Sequence, residues 1–430
     1  MDSLKAIFED KQVYDDRTPL LEWTIAGGYS QEEGDVSTFA LFAPKGTIWV
    51  QLLALVLLQT VIQVIFGLFV YKVILPRRGS TEAYLLGFGV ILPLSLYSPF
   101  WILETFDLRN KVLKLATTTI TAVVGFKTVE CIYDCMPKYV EDSLKNFLFY
   151  YSTVVPLEWD DKTRTVKKST VSDILYFQGR ILFHFAGLSL ILSFLLHHNF
   201  RPLPTTVNLE EWNISWELLS TNHLINAYCC AVLVYFQLWI GFEGTAFGEV
   251  VKGSATRPIF SNPLLTATSP TDFWTMKWNT MIHTILKRGA FLPAKKIFNS
   301  TKVAIAWTFV MSGLFHDFVH MAVFYESRNI LSEMEARGED PSCDAHDHCY
   351  QHAFGRLTAF FAYTGIIMLL ERPLGRTAPF RWMAKSLPAP IKATLLVLLH
   401  LPLAHWYYGD WIMGRYFHDF SIGLFYIRKL

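Results

Sequence analysis

Charge is scarce in this chain. Only 17% of its 430 residues are Asp, Glu, Lys or Arg, while 52% are hydrophobic, against roughly 25% charged in soluble proteins. Cysteine is scarce too: six residues in this length exclude a disulfide framework. Cys229 and Cys230 fall inside an apolar run, where small core residues are expected, and Cys131 and Cys135 lie one helical turn apart at a helix end. A formal net charge of +1 with no long basic tract excludes a nucleic-acid footprint. No 20–50-residue period recurs, which excludes a solenoid. The first 47 residues hold no apolar core segment, so a cleavable signal is not expected and the first apolar run should itself direct insertion.

What is present is a series of apolar runs of about 20 residues, the length that crosses a hydrocarbon core. We place spans at 48–74, 84–103, 112–131, 175–197, 223–242, 302–325, 352–370 and 391–411. Pro93 and Pro99 predict a kink in the second, and the threonines of the third predict a helix packed inside the bundle. The expected fold is all-α: a multi-pass transmembrane helical bundle of about eight spans enclosing a reaction chamber. Aromatic residues at 15% suit such a body with interfacial Trp and Tyr. Residues 1–47 read as a polar lead-in of loop and short helical pieces, 48–242 as an N-terminal transmembrane bundle, and 243–430 as a second membrane region.

Orientation follows from basic residues in the loops. Loops 1–2, 3–4, 5–6 and 7–8 hold 19 Lys and Arg, the termini and the other loops 12. That asymmetry puts the 243–301 loop in the cytosol. It puts the Asn213-Ile214-Ser215 sequon in the lumen, where a glycan acceptor is used, and leaves Asn299-Ser300-Thr301 cytosolic and silent.

Two segments concentrate chemistry. Within 302–325, Thr308, Ser312, His316 and His320 recur every four residues and form one polar stripe on an apolar helix. His316 lies about 14 residues, roughly 21 Å, from the cytosolic end. A stripe at that depth faces a bundle interior or a water-filled cavity, not lipid; helix–helix packing through the histidine is the plainer alternative. Residues 271–288 predict an amphipathic helix started by Pro270 and Thr271 or Asp272. It carries Trp274, Trp278, Met281, Ile282 and Ile285 on one face and Asp272, Asn279 and His283 on the other. Such a helix lies flat at the cytosolic interface with its apolar face in lipid and Asn279 turned away from it; an anchor helix with an incidental asparagine is the alternative. Lys287, Arg288, Lys295, Lys296 and Lys302 form a basic rim suited to a phosphate-bearing ligand or to anionic lipid.

Other chemistries fit less well. His316-Asp317-Phe318-Val319-His320 is one residue from the HExxH zinc helix, but its Asp is one methylene shorter than the Glu base, and no obvious acidic third ligand follows in an apolar span. A histidine-box di-iron site would join His316 and His320 to His197, His198, His348 and His352, several of which fall on the lumenal side. Cys343, His346, His348, Cys349 and His352 have zinc-ligand identities, yet a lumenal Cys343–Cys349 disulfide or no special role is the simpler reading. A proton-coupled transporter calls for paired halves, and no internal symmetry is visible.

The two central segments together resemble the wax synthase branch of the membrane-bound O-acyltransferases. The resemblance rests on Thr268-Ser269-Pro270-Thr271-Asp272-Phe273-Trp274, on Trp278-Asn279 and on Ser312-Gly313-Leu314-Phe315-His316. It covers about 60 residues. The Phe-Trp-x-x-x-Trp-Asn element is also similar to the acyl-CoA-binding motif of sterol and diacylglycerol acyltransferases. Thr275-Met276-Lys277 replaces the Gly-Arg-Arg usual before the second Trp, and Asp317 stands where Glu commonly follows the histidine; both leave the acceptor open. The resemblance implies an endoplasmic-reticulum enzyme with His316 as catalytic base and Asn279 as its partner. Phe273, Trp274, Trp278, Ser312, His320, Lys287 and Arg288 are the substrate-contacting candidates. It implies no metal or prosthetic cofactor: acyl-CoA is a co-substrate and the acceptor is a lipidic alcohol, diacylglycerol, a sterol or a smaller alcohol.

Overall fold

A computed structural model describes residues 7–8, 17–26, 36–212, 214–336 and 350–430. Asn213, Cys343, His346, His348 and Cys349 lie outside the described residues. Among those described, seven helices are long and apolar enough to cross a membrane: α1 (Gly46–Arg77), α2 (Thr81–Phe106), α3 (Lys111–Ile132), α4 (Val171–His197), α5 (Thr221–Val251), α6 (Thr301–Val323) and α7 (Arg356–Leu374). After a short helix, α8 (Ala378–Ser386), come α9 (Ala389–Leu403) and α10 (His405–Met413), bent by 60° against each other. The single span expected at 391–411 is therefore broken. Pro402 lies in the 3-10 turn at the bend, where a proline removes a helical hydrogen bond. The expected division at residue 243 falls within α5.

Membrane helices invert the usual amphipathic rule. On α1, Leu53, Leu57, Val61 and Ile65 recur every four residues and are 57–60% exposed. The opposite face buries Gln51, Leu55, Gln59, Gln63 and Gly67. Apolar atoms face outward because lipid, not water, is the solvent there. The threonine-rich α3 is the central helix, with buried Thr117, Thr118, Thr121 and Thr128. Its lysines Lys111, Lys114 and Lys127 are buried too. Lys114 donates to the Tyr325 carbonyl at 2.6 Å and pairs with Glu326 at 3.1 Å. Lys127 donates to the Tyr150 and Thr153 carbonyls at the end of a short helix. In α2 the Ser98 hydroxyl donates to the Ser95 carbonyl at 3.0 Å, the acceptor that Pro99 leaves without its N–H. That substitute bond lets α2 continue as one span instead of kinking sharply.

Within the lead-in, expected as loop with short helical pieces, residues 7–8 are helical, and two strands stand among the other described residues. Strands β1 (Leu21–Ala26) and β2 (Val36–Phe42) pair antiparallel, and β3 (Tyr426–Lys429) pairs with β2, Phe42 opposite Tyr426. β-branched and aromatic residues in LEWTIA and VSTFALF favour this state. The sheet has a topological consequence. It holds both ends of the membrane body on one side, so the number of crossings is even and α9–α10 together make the eighth. On the opposite side, Arg78 pairs with Asp134 and Glu141, and Lys296 donates to the Tyr133 carbonyl, joining loops 1–2, 3–4 and 5–6.

α6 and α7 form the most extensively packed helix pair. Gly313 allows it: a Cβ there would stand 2.4 Å from the Thr358 Cα. Gly313→Val should therefore force the helices apart and cost about 1–3 kcal/mol. A lowered thermal midpoint of the purified protein checks this, and an unchanged midpoint would contradict the close approach.

Candidate active site

The 252–300 loop is stapled deep into the bundle. Glu243, fully buried in α5, accepts from the Ile259 N–H at 3.0 Å and the Phe260 N–H at 3.3 Å, and Arg180 of α4 donates to the Phe260 carbonyl at 3.1 Å. Ser269, one residue before the expected start, caps the next turn by accepting from the Asp272 N–H, while the Asp272 carboxylate accepts from the Thr268 N–H. The chain then makes a π-turn, Phe273–Lys277, and breaks at Trp278, whose ψ is −142°. The single amphipathic helix expected over 271–288 is thus two pieces. The break turns the aromatic face inward: Phe273 stacks on Trp278 at 5.3 Å, and Trp274 meets Phe309 of α6 and Phe361 of α7 edge-on. The loop is held among helices, so these rings bury against protein where the pattern alone pointed to lipid.

Asn279 opens the second piece, Thr280–Leu286, as its N-cap. Its Oδ1 accepts from the Ile282 N–H at 3.0 Å, and the residue is 5% exposed. With the oxygen committed to the helix end, the amide NH2 is the group left for a ligand.

On α6 the histidine is fixed in the same way. His316 Nδ1 lies 2.6 Å from the Ser312 carbonyl. A carbonyl only accepts, so Nδ1 carries the proton and Nε2 keeps its lone pair. The ring stacks on Phe361 at 4.4 Å and 24°, with Tyr407 on another side at 5.7 Å.

A cavity of 1130 Å³ brings these groups together. The whole stripe Thr308, Ser312, His316 and His320 lines it, as do Asn279, Phe273, Trp274, Trp278, His283, Lys287 and Lys252. Arg288 is set apart: it lies 3.7 Å from the Glu130 carboxylate and does not line the cavity. One wall is the apolar segment of α1 from Trp49 to Thr60, and its members Leu53 and Leu57 are also widely exposed to the lipid side. His400, which the sequence reading did not single out, also lines the cavity. Its Nδ1 donates to the Leu396 carbonyl, and its ring meets Trp274 at 5.8 Å.

Beyond the stripe lies a buried ionic network that sequence reasoning missed. Asp410 of α10 accepts from His320 Nδ1 at 3.0 Å, His352 Nδ1 at 2.6 Å and the Tyr350 hydroxyl at 2.6 Å, with Arg356 at 3.4 Å. His352 Nε2 reaches Asp317 at 3.0 Å, and Asp317 also accepts from the Thr358 hydroxyl at 2.5 Å. With both nitrogens donating to carboxylates, His352 is an imidazolium. Two carboxylates then face two cations, His352 and Arg356, and the charges balance. Burial pulls the His352 pKa down, but the hydrogen bonds and charges of Asp317 and Asp410 outweigh it and hold the group above its usual 6.5. His320, His352 and Asp410 place one ligand atom each within 4.8 Å of one another, a spacing an ion could use; here the same atoms are engaged in hydrogen bonds. Asp317 turns toward α7 and is no zincin base beside His316. An ionisable residue inside an apolar run, such as Asp410 in His405-Trp406-Tyr407-Tyr408-Gly409-Asp410, was the signal available.

Asp410→Ala would leave Asp317 as the one carboxylate facing two buried cations and should cost about 3–5 kcal/mol, seen as loss of folded protein from the membrane. The raised His352 pKa sets a sign. Its contribution is full below 6.5 and fades as pH rises through the folded-state value. The thermal midpoint should fall over that interval, and His352→Gln should remove that component of the slope.

Residues 256–333 match the Membrane bound O-acyl transferase family. A probable long-chain-alcohol O-fatty-acyltransferase of Arabidopsis thaliana is 23% identical over 208 residues, 43% of this chain and 51% of that protein. An acyl-CoA–sterol O-acyltransferase of the same plant is 33% identical over 105 residues, covering 23% of this chain and 29% of that protein. The long-chain-alcohol O-fatty-acyltransferase of Simmondsia chinensis is 32% identical over 103 residues, covering 21% and 29%. The chain thus spans about half, or less, of the length of these curated relatives. Asn279, the Ser312-to-His316 segment and Asp317 all fall within the matched residues. Over residues 256–333, the stretch that carries both Asn279 and His316, the chain is similar to the membrane-bound O-acyl transferase family.

Proposed function

We propose that this protein transfers a fatty acyl group from acyl-CoA to a long-chain alcohol, forming a wax ester in the endoplasmic-reticulum membrane. One observation carries the reading. His316 and Asn279 line a single cavity, and each has one polar atom taken by backbone, so the remaining atoms are a base and a donor. An alcohol needs such a base to attack a thioester at neutral pH.

In this reading His316 Nε2 takes the hydroxyl proton as the alcohol oxygen bonds to the thioester carbon. The Asn279 amide donates to the carbonyl oxygen as negative charge gathers there. The carbon–sulfur bond then breaks and the CoA thiolate takes the proton from His316. Lys252 and Lys287 suit the phosphates of the co-substrate, and the lipid-facing wall of α1 suits lateral entry of an apolar alcohol. A sterol acceptor is the second reading, favoured by the sterol O-acyltransferase among the relatives.

His316→Ala should lower transfer by about 10²–10⁴-fold at an unchanged level of membrane protein. Asn279→Asp keeps the capping oxygen but loses the amide donor, and should cost about 10²–10³-fold in kcat with little loss of stability. Product analysis in a host that makes no neutral lipids, fed fatty alcohol, sterol or diacylglycerol, separates the acceptors. Wax ester from the alcohol feed alone supports the first reading; steryl ester supports the second.

A further inference from the structure

We propose that α8 is a binding surface for anionic lipid headgroups of the leaflet on which it lies. α8 follows the end of α7, which Glu371 ties to the 252–300 loop by accepting from the Thr271 N–H at 2.8 Å. It therefore lies on the side of the membrane body opposite the β-sheet, and the two spans flanking it hold it at the surface. None of its residues is buried against the protein. Phe380 is 43% exposed and Trp382 61%.

The helix is two-faced. At 100° per residue, Pro379, Phe380, Met383 and Ala384 share one arc, while Arg381 and Lys385 stand one turn apart on the other side. An apolar arc beside a basic one is the pattern of a helix lying in the headgroup layer.

The charge is one-signed. Arg372, Arg376, Arg381, Lys385 and Lys392 fall in a stretch with no Asp or Glu from 372 to 409. Among the described residues, the side chains of Arg372, Arg376, Arg381 and Lys385 have no hydrogen-bond or ion-pair partner, while Lys392 donates to the Ala384 carbonyl and ties the helix to α9. None of the five lines the chamber, whose cations are Lys252 and Lys287. That separates them from the phosphates of a CoA co-substrate. Orientation during insertion accounts for basic charge in a loop, but not for the exposed aromatic pair on the same short helix. Each cation near an anionic leaflet adds attraction that falls off within a Debye length.

The test uses the full-length protein in phosphatidylcholine bilayers containing a trace of spin-labelled phosphatidylserine or spin-labelled phosphatidylcholine. The motionally restricted fraction of each label is read by electron spin resonance. The wild type should restrict phosphatidylserine severalfold more than phosphatidylcholine, with the preference lost at high salt. Arg376→Gln/Arg381→Gln/Lys385→Gln should bring the ratio close to unity, and Lys385→Gln alone should lower it in part. α8 buries no side chain, so a thermal midpoint equal to wild type is expected and shows that the variant is folded. Equal restriction of both lipids by the wild type, or undiminished preference in the folded triple variant, would overturn the proposal. Displacement of the anionic lipid by added CoA would also overturn it, by giving these cations to the co-substrate.

Discussion

Inside the bilayer, polar groups have no water to fall back on, and the bond from His316 Nδ1 to the Ser312 carbonyl depends on that constraint. In water the imidazole would exchange tautomers freely. Here the carbonyl one turn earlier holds the proton on Nδ1 and leaves the other nitrogen bare toward the cavity. Asn279 obeys the same logic with the opposite outcome, because a helix N-terminus claims its oxygen and leaves its amide. The bare nitrogen and the free amide that face the chamber follow from two local backbone bonds, and both lie in the short stretch that matches the family.

Those bonds need the surrounding helices held in place. Gly313 lets α6 meet Thr358 of α7 closely, and that approach brings Phe361 under the His316 ring. Just beyond, Asp317 and Asp410 clamp His352 between α6 and α10. A buried network of this kind is costly when broken and adds little as a net stabiliser, so its value lies in fixing which helices meet. The staple from Glu243 to Ile259 and Phe260 does the same for the loop that carries Asn279.

Much of this was legible in the sequence because membrane burial is written in composition and helical stripes. The run of spans, the central place of α3 and the cavity-facing stripe through His316 all follow from residue spacing. The break at Trp278 was not legible. Helical periodicity assumes a continuous helix, and the cap at Asn279 shows itself only once the chain has turned. The third strand of the β-sheet was missed because it pairs across the whole chain, Phe42 with Tyr426. The Asp410 network was missed for a similar reason: its members come from separate segments, and spacing within one helix says nothing about them. Arg288 read as part of a basic rim, since the buried Glu130 that engages it is far away in sequence.

The most direct measurement is a structure of the protein with a non-cleavable 2-oxoalkyl-CoA, a ketone in which a methylene separates the sulfur from the carbonyl. The account predicts the analogue's carbonyl oxygen about 3 Å from the Asn279 amide nitrogen, with His316 Nε2 facing the space beside the reacting carbon. A reacting carbon seated away from both, or His316 turned toward lipid, would contradict it.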